Sequence, residues 1–193
     1  AKVLVQAKDK DGNVIGRANS NSATGEYFLT GLEQGNIYTI VLSGDEHLAT
    51  KFDVEIPETD KYAEYSRDFL ATKKEKGKQL PLKIIPFDNN KSKLRAGADI
   101  ALDDIITLLL ENPRIRFTVH SYPDSDADNA FNQELTNQRA EVIREFMLAK
   151  DIKPIRIKTK GYAEIDPKNP LPTKKQAKGK RYKGNIYITF DSM

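Results

Sequence analysis

Cysteine is absent from all 193 residues. That excludes disulfide bridges, thiol nucleophiles and cysteine-ligated zinc, and it leaves the redox compartment open. Histidine is almost absent: His47 and His120 stand alone, far apart, and neither has a second ligand at metal spacing. No apolar run approaches the roughly 20 residues that a membrane-spanning helix needs. No secretory leader opens the chain; Ala1 runs straight into the strand-like KVLVQA, the expectation for a piece processed or cut from a longer protein. Also missing are a Ser-His-Asp order, an H-E-x-x-H helix and a glycine-rich phosphate loop. The neighbouring carboxylates Asp103 and Asp104 fall on the solvent side of a predicted helix. The expectation is a non-enzymatic protein without cofactor or resident metal.

What is present is modest and mixed. Thirty-one Lys and Arg against 28 Asp and Glu leave a formal charge of +3, too small by itself to imply nucleic acid. A charged fraction of 31% and a hydrophobic fraction of 38% fit one large or two small globular domains.

The hydrophobic period changes along the chain. Residues 1–72 read as all-β. Val3, Val5 and Ala7 alternate, KDKDGN from Lys8 to Asn13 is a turn signal, and Val14 to Ala18 returns. Ile37 to Leu42 offers two apolar faces, as an interior strand of a sandwich does. Phe52, Val54 and Ile56 alternate before Pro57, and Tyr65 to Leu70 supplies a last strand. Residues 73–79, KKEKGKQ, read as a polar linker with nothing to bury. Residues 80–193 then mix periods. Leu80 to Ile85 is a predicted strand. Lys91 to Glu111 is a helix with Leu94, Ala98, Ala101, Leu102, Ile105, Leu108 and Leu109 on one stripe, stopped by Asn112-Pro113. Arg114 to Val119 is a strand and Thr136 to Lys150 a second helix. Ile155 to Tyr162 and Asn185 to Phe190 are strands. The order β-α-β-α-β-β implies an α+β domain with a mixed sheet and helices on one face.

The stretch SYPDSDADNAFNQELTNQRA, Ser121 to Ala140, carries the most chemistry. Asp124 leaves a strand, and Thr136 is the expected N-cap of a helix with Arg139 in its first turn. An acid and a base so placed can face one another across a single pocket. That pocket suits a zwitterion: Asp124 takes an ammonium, and the planar Arg139 fork grips a carboxylate with two hydrogen bonds. The free N–H groups of a helix start add to the attraction for an anion. The reading requires the two charges to be held apart at the width of an amino-acid head, open to solvent.

Two resemblances follow from these residues. NSNSATGEYFLTGLEQG, Asn19 to Gly35, resembles the core of carboxypeptidase regulatory-like domains, β-sandwiches of transthyretin type, at Gly25, Tyr27, Leu29, Leu32, Gly35 and Tyr38. That resemblance implies a structural or adhesive module with its glycines in turns. The second half resembles the OmpA-like C-terminal domain at Phe87, Leu94, Tyr122, Asp124, Asn132, Leu135, Thr136, Arg139, Ala140, Ile143, Gly161, Glu164 and Pro167. This second resemblance implies noncovalent binding of peptidoglycan in a Gram-negative periplasm. In the family, the equivalents of Asp124 and Arg139 hold the diaminopimelate of the stem peptide, the equivalent of Asn132 contributes to the pocket, and Phe87, Asp88 and Asn90 fall where the first strand-to-helix loop lines it. The chain departs from the family at Pro123, which replaces Thr, and at Ser121 and Ala127, which replace Gly. The closing N-R-R becomes Lys183, Gly184 and Asn185, with Arg181 as a substitute from the basic loop. The pairing of the two modules also resembles the C-terminal part of lipoproteins of the Bacteroidota outer membrane that serve type IX secretion. It implies envelope or secretion-system protein partners.

Plainer readings stand beside these. Asp124 and Arg139 can be a surface ion pair worth at most about 1 kcal/mol. Alternatively, the same acid belongs to a calcium loop, since Asp124, Asp126 and Asp128 take positions 1, 3 and 5 of an EF-hand pattern. Asn129 and Leu135 break that pattern where Gly and Glu belong. The late basic residues, Lys153, Arg156, Lys158, Lys160, Lys168 and the run Lys174 to Lys183, read as a solvated surface that meets anionic glycan or lipid rather than nucleic acid. A scaffold or adhesion module whose pocket has lost its ligand is the competing reading for the whole chain.

Overall fold

The computed structural model describes residues 2–61, 63–80, 84–88, 90–173 and 186–192. The chain divides into two compact units, residues 1–74 and 75–193.

The first unit is built on one antiparallel sheet. Its strands are β1 (Leu4–Lys8), β2 (Val14–Asn19), β3 (Ile37–Gly44) and β4 (His47–Glu55), in the order β2-β1-β3-β4. The alternation of Val3, Val5 and Ala7 puts all three in the core with Tyr38, Ile40, Leu42, Val54 and Ile56. At the β1–β2 turn, Asp9 Oδ1 accepts the backbone N–H groups of Asp11 and Asn13. Gly25 and Gly35 have φ of +81° and +73°, in keeping with turns.

Two expectations for this unit are corrected. Ile37, expected inside, is 61% exposed, so β3 buries mainly its Tyr38, Ile40, Leu42 face. Tyr65 to Leu70 is not a strand. Phe69 instead stacks obliquely on Phe52 and Tyr27, at centroid distances of 4.9 and 6.2 Å, and the Tyr27 hydroxyl donates to the Arg67 carbonyl. The segment is held by side chains without a ladder partner. Among the described residues the sheet therefore has no second sheet against it. Irregular chain carrying Tyr27, Leu29, Leu32, Phe69 and Ala71 covers its core face.

The boundary between the units falls inside the expected linker, residues 73–79, and that run makes backbone contacts. Thr72 and Lys74 bond to the backbone of Leu48 and Glu46, and Lys74 Nζ donates to the carbonyls of Gly44 and Asp45. From Gly77 onward the chain bonds to Phe190 in the second unit. The polar run is thus divided between the units, each half satisfied by backbone partners.

The second unit comprises β5 (Gln79–Leu80), α1 (Ala98–Glu111), β6 (Arg116–Ser121), α2 (Asn129–Leu148), β7 (Ile157–Gly161) and β8 (Ile186–Ser192). The sheet runs β5-β8-β6-β7, with β6 parallel to β7 and β8 antiparallel to both β5 and β6. This is the expected mixed α/β order. Residues 81–83 of the first predicted strand lie outside the described residues. Phe117, Val119 and Ser121 of β6 are fully buried, and α2 packs across β6 and β7.

Both helices start elsewhere than the periodicity predicts. The first begins at Ala98, not Lys91, because the preceding chain is closed into a hairpin-like loop. Phe87 bridges Leu94, Asp88 N–H donates to the Lys93 carbonyl and Arg95 N–H to the Pro86 carbonyl. Gly97, at φ +88°, then turns the chain into the helix. The second begins at Asn129, not Thr136. Asp128 is its N-cap, accepting from the N–H groups of Ala130 and Phe131. At the far end of α1, the buried Arg156 donates to the carbonyls of Leu109, Asn112 and Ile115 at 2.8 Å. It supplies a cation where the helix dipole is negative. Arg156 is therefore no part of a basic surface, whereas Lys153, Lys158, Lys160 and Lys168 are exposed. The run Lys174 to Lys183, with Gly184 and Asn185, lies outside the described residues.

Candidate functional site

The site is assembled where the end of β6, the loop from Pro86 to Arg95 and the middle of α2 meet. Arg139 lies about three turns inside α2, so the helix start cannot act on its ligand as expected. The N-cap expected of Thr136 belongs to Asp128. Thr136 is fully buried and its hydroxyl bonds to the carbonyls of Asn132, Gln133 and Tyr162. It straps the helix to the end of β7. Gln133 and Asn137 reinforce the strap on Gly161.

The guanidinium of Arg139 is held from three sides. Its Nε donates to the Lys91 carbonyl at 3.0 Å and one terminal nitrogen donates to the Asp88 carbonyl at 3.4 Å. The fork lies over the Phe87 ring, 5.1 Å from its centroid. The same terminal nitrogen meets Asp124 Oδ2 at 3.3 Å. The side chains of Arg139 and Asp124 are 3% and 11% exposed. The expectation of two charges held apart and open to solvent is thereby overturned. They form one buried ion pair. The surface-pair reading is overturned by the same burial.

The remaining expected residues converge on this pair by different routes. The Nδ2 of Asn132 donates to the carbonyls of Ser125 and Ala127, pinning the loop that carries Asp124. Asn132 is 2% exposed and its Oδ1 has no hydrogen-bond partner among the described residues. Asp88 contributes its carbonyl to Arg139, while its side chain faces the exposed Arg95 at 3.7 Å. Asn90 is exposed, with φ +51° in the turn where Lys91 N–H bonds back to the Asp88 carbonyl. That turn aims the two carbonyls at Arg139. Lys91 was not foreseen: it acts through its backbone, which no side-chain pattern reveals.

The calcium pattern is dispersed: Asp128 caps α2 and Asp124 is committed to Arg139. Among the described residues no group of three or more His, Asp or Glu side chains is placed to hold a metal ion. Behind Asp124 stands an aromatic cluster. Tyr122 and Tyr162 stack face to face at 4.1 Å, and His120 bonds Tyr162 and Thr189 through its two ring nitrogens. Burial, with hydrogen bonds to Tyr187 and Tyr162, pushes the Tyr122 phenol well above the ordinary tyrosine range. Burial, followed by the Lys160 charge, holds the His120 imidazole below its ordinary value against the opposing pull of Asp191.

Residues 86–181 match the model of the OmpA family. The chain is 26% identical over 109 residues to the Escherichia coli protein described as "Probable lipoprotein YiaD", covering 56% of this chain and 48% of that one. It is 32% identical over 82 residues to outer membrane protein A of Serratia marcescens, covering 42% of this chain and 23% of that protein. The chain thus spans about half the length of the first relative and less of the second. The crystal structure of the peptidoglycan-associated lipoprotein from Burkholderia pseudomallei is 14% identical, with a TM-score of 0.43 over 55% of this chain and 86% of that one. No helix among the described residues is long and apolar enough to cross a membrane. Residues 86–181 of this chain are an OmpA-like domain.

Proposed function

We propose that this chain binds peptidoglycan noncovalently through its OmpA-like domain, with Asp124 and Arg139 parting from their direct contact to receive the diaminopimelate head of the stem peptide. One observation carries the reading. Arg139 is a buried guanidinium whose Nε is fixed by a backbone carbonyl and whose face is fixed by Phe87, with one terminal nitrogen against Asp124. A guanidinium held in this way is pre-organised for a carboxylate. Asn132 Oδ1, buried without a partner among the described residues, is an acceptor for the ligand's ammonium. Phe87, Asp88 and Asn90 form the wall. In this reading the role is adhesion, not cleavage.

The setting that follows is the periplasm of a Gram-negative envelope, at the outer membrane, in a longer lipid-anchored protein. In this reading the first unit is a carboxypeptidase regulatory-like spacer or docking module. The domain pairing supports a PorE-type role, tethering a type IX secretion assembly to the wall. Co-sedimentation with purified sacculi tests the core claim: the native protein pellets and Asp124→Asn loses most of its bound fraction. Equal pelleting of the two proteins overturns the assignment of the site. A second reading, an envelope scaffold whose pocket no longer takes a ligand, is favoured by the direct contact between Asp124 and Arg139. Native protein that stays in the supernatant establishes it.

A further inference from the structure

The sheet of the second unit has a second end, away from the candidate site. β6 and β7 run parallel, in register from Phe117 beside Ile157 to Ser121 beside Gly161. Asp124 follows the last of these pairs, so the site stands at one end. The turn from Asn112 to Ile115 and a single 3₁₀ turn, Pro154–Arg156, lead into the same two strands and stand at the other. The six residues of β6 separate the two ends by about 20 Å. Arg156 ties the two turns together from within, donating to the carbonyls of Asn112 and Ile115 at 2.8 Å. What these turns turn outward is therefore held rigidly. Ile155 is 74% exposed, and Pro113 and Pro154 are exposed with it. A lone exposed isoleucine is ordinary on a protein surface, but this one lies in a basic setting. Lys153 and Lys158 flank it in the chain, Lys150 follows the end of α2, and Arg114 is on the turn that Arg156 joins to it; all four are exposed. The acids of these segments are Asp151, which is exposed, and Glu111, which is half-buried.

We propose that this end of the unit docks on an anionic phospholipid surface, with Ile155 entering the interfacial layer and Arg114, Lys150, Lys153 and Lys158 meeting the lipid phosphates. Charge complementarity selects the occupant. Each cation close to an anionic leaflet adds attraction that salt screens, and an apolar side chain that reaches the acyl boundary adds to it. The amount of apolar surface argues the same way. One isoleucine and two prolines are too little for the desolvated core of a stable protein interface, whereas an interfacial lipid layer accepts a single apolar side chain with a basic surround. The clamp by Arg156 lowers the cost of docking, since Ile155 and its neighbours are already ordered. With the wall held at one end and lipid at the other, the unit bridges two surfaces. That bridging role rests on the peptidoglycan reading; the lipid contact itself does not.

The test is sedimentation of the full chain with vesicles, either phosphatidylcholine alone or phosphatidylcholine and phosphatidylglycerol in equal parts. The native protein pellets with the anionic vesicles, is released by high salt, and stays in solution with the neutral ones. Lys153→Glu combined with Lys158→Glu weakens partitioning on the order of tenfold or more, and Ile155→Ser weakens it on the order of tenfold. All three side chains are exposed, so the variants keep the native melting temperature, and their co-sedimentation with sacculi is unchanged because the wall site is at the other end. Native protein that ignores anionic vesicles overturns the proposal and assigns this end to a protein partner or to solvent. Variants that partition as the native protein does also overturn it, since the lipid is then held by other residues. Native protein that binds anionic vesicles through these residues but fails to pellet with sacculi leaves the lipid contact standing, and the peptidoglycan reading falls alone.

Discussion

At the scale of single residues, Arg139 bears two roles that the sequence presents as one. Its charge suggests a carboxylate receptor in the sequence; its clamping of the loop was not legible, because two of its partners are backbone carbonyls of Asp88 and Lys91. Arg139→Ala therefore does more than empty a pocket. It leaves Asp124 buried without its cation and releases the loop from Pro86 to Arg95. The expected cost is about 3 kcal/mol or more, read as a lowered urea midpoint. The thermally silent Arg139→Ala that an open pocket implies is not expected. His120 supplies a pH signature. Its folded value lies below the ordinary 6.5, so neutral imidazole is favoured by the fold. Above that pH its contribution is fully present. As pH falls through it, the unfolded chain takes up the proton first, and stability declines toward the folded value. The melting temperature of the second unit should drop between about pH 7 and pH 5, and His120→Gln should flatten that drop. An unchanged slope in the variant would assign the effect to other groups.

At the scale of elements, the helix α2 explains why some boundaries were legible and others were not. Its buried positions are Asn132, Leu135, Thr136, Arg139, Ala140, Ile143 and Met147, which follow helical spacing throughout. Only the later ones are consistently apolar, so a reading of hydrophobic period sees a helix from Thr136 and misses the first two turns. Polar residues on the inner face there serve the strap and the site. α1 shows the opposite error: Leu94 fits the stripe but pairs with Phe87 in a loop. Strands with clean alternation, such as β1, were placed closely, whereas Tyr65 to Leu70 has strand-like composition and no neighbour to pair with. Two changes probe these elements. Asp128→Ala removes the cap of α2 and should cost about 1 kcal/mol, measurable by chemical denaturation. At Gly161, a methyl group would lie 2.5 Å from the Asn137 nitrogen and 2.7 Å from the Thr136 hydroxyl. Gly161→Ala must therefore part β7 from α2, at about 1–3 kcal/mol, and should weaken sacculus binding by shifting Arg139. A variant with native stability would show that the strap is slack.

At the scale of the whole chain, the two units each own a core, and the division falls between Lys74 and Glu75. Every residue placed at the site belongs to the second. A fragment spanning residues 75–193 should therefore sediment with sacculi to the same extent as the full chain, and a fragment that fails to do so would make the first unit part of the binding surface. The aromatic cluster behind Asp124 has an experimental consequence of its own. The chain contains no tryptophan, so its near-ultraviolet circular dichroism comes mainly from tyrosine. Two tyrosines stacked in parallel at 4.1 Å, at the strand end that leads into the acidic loop, form a coupled chromophore. Wall fragments that reorganise that loop can be followed optically, without any label, in the unmodified molecule.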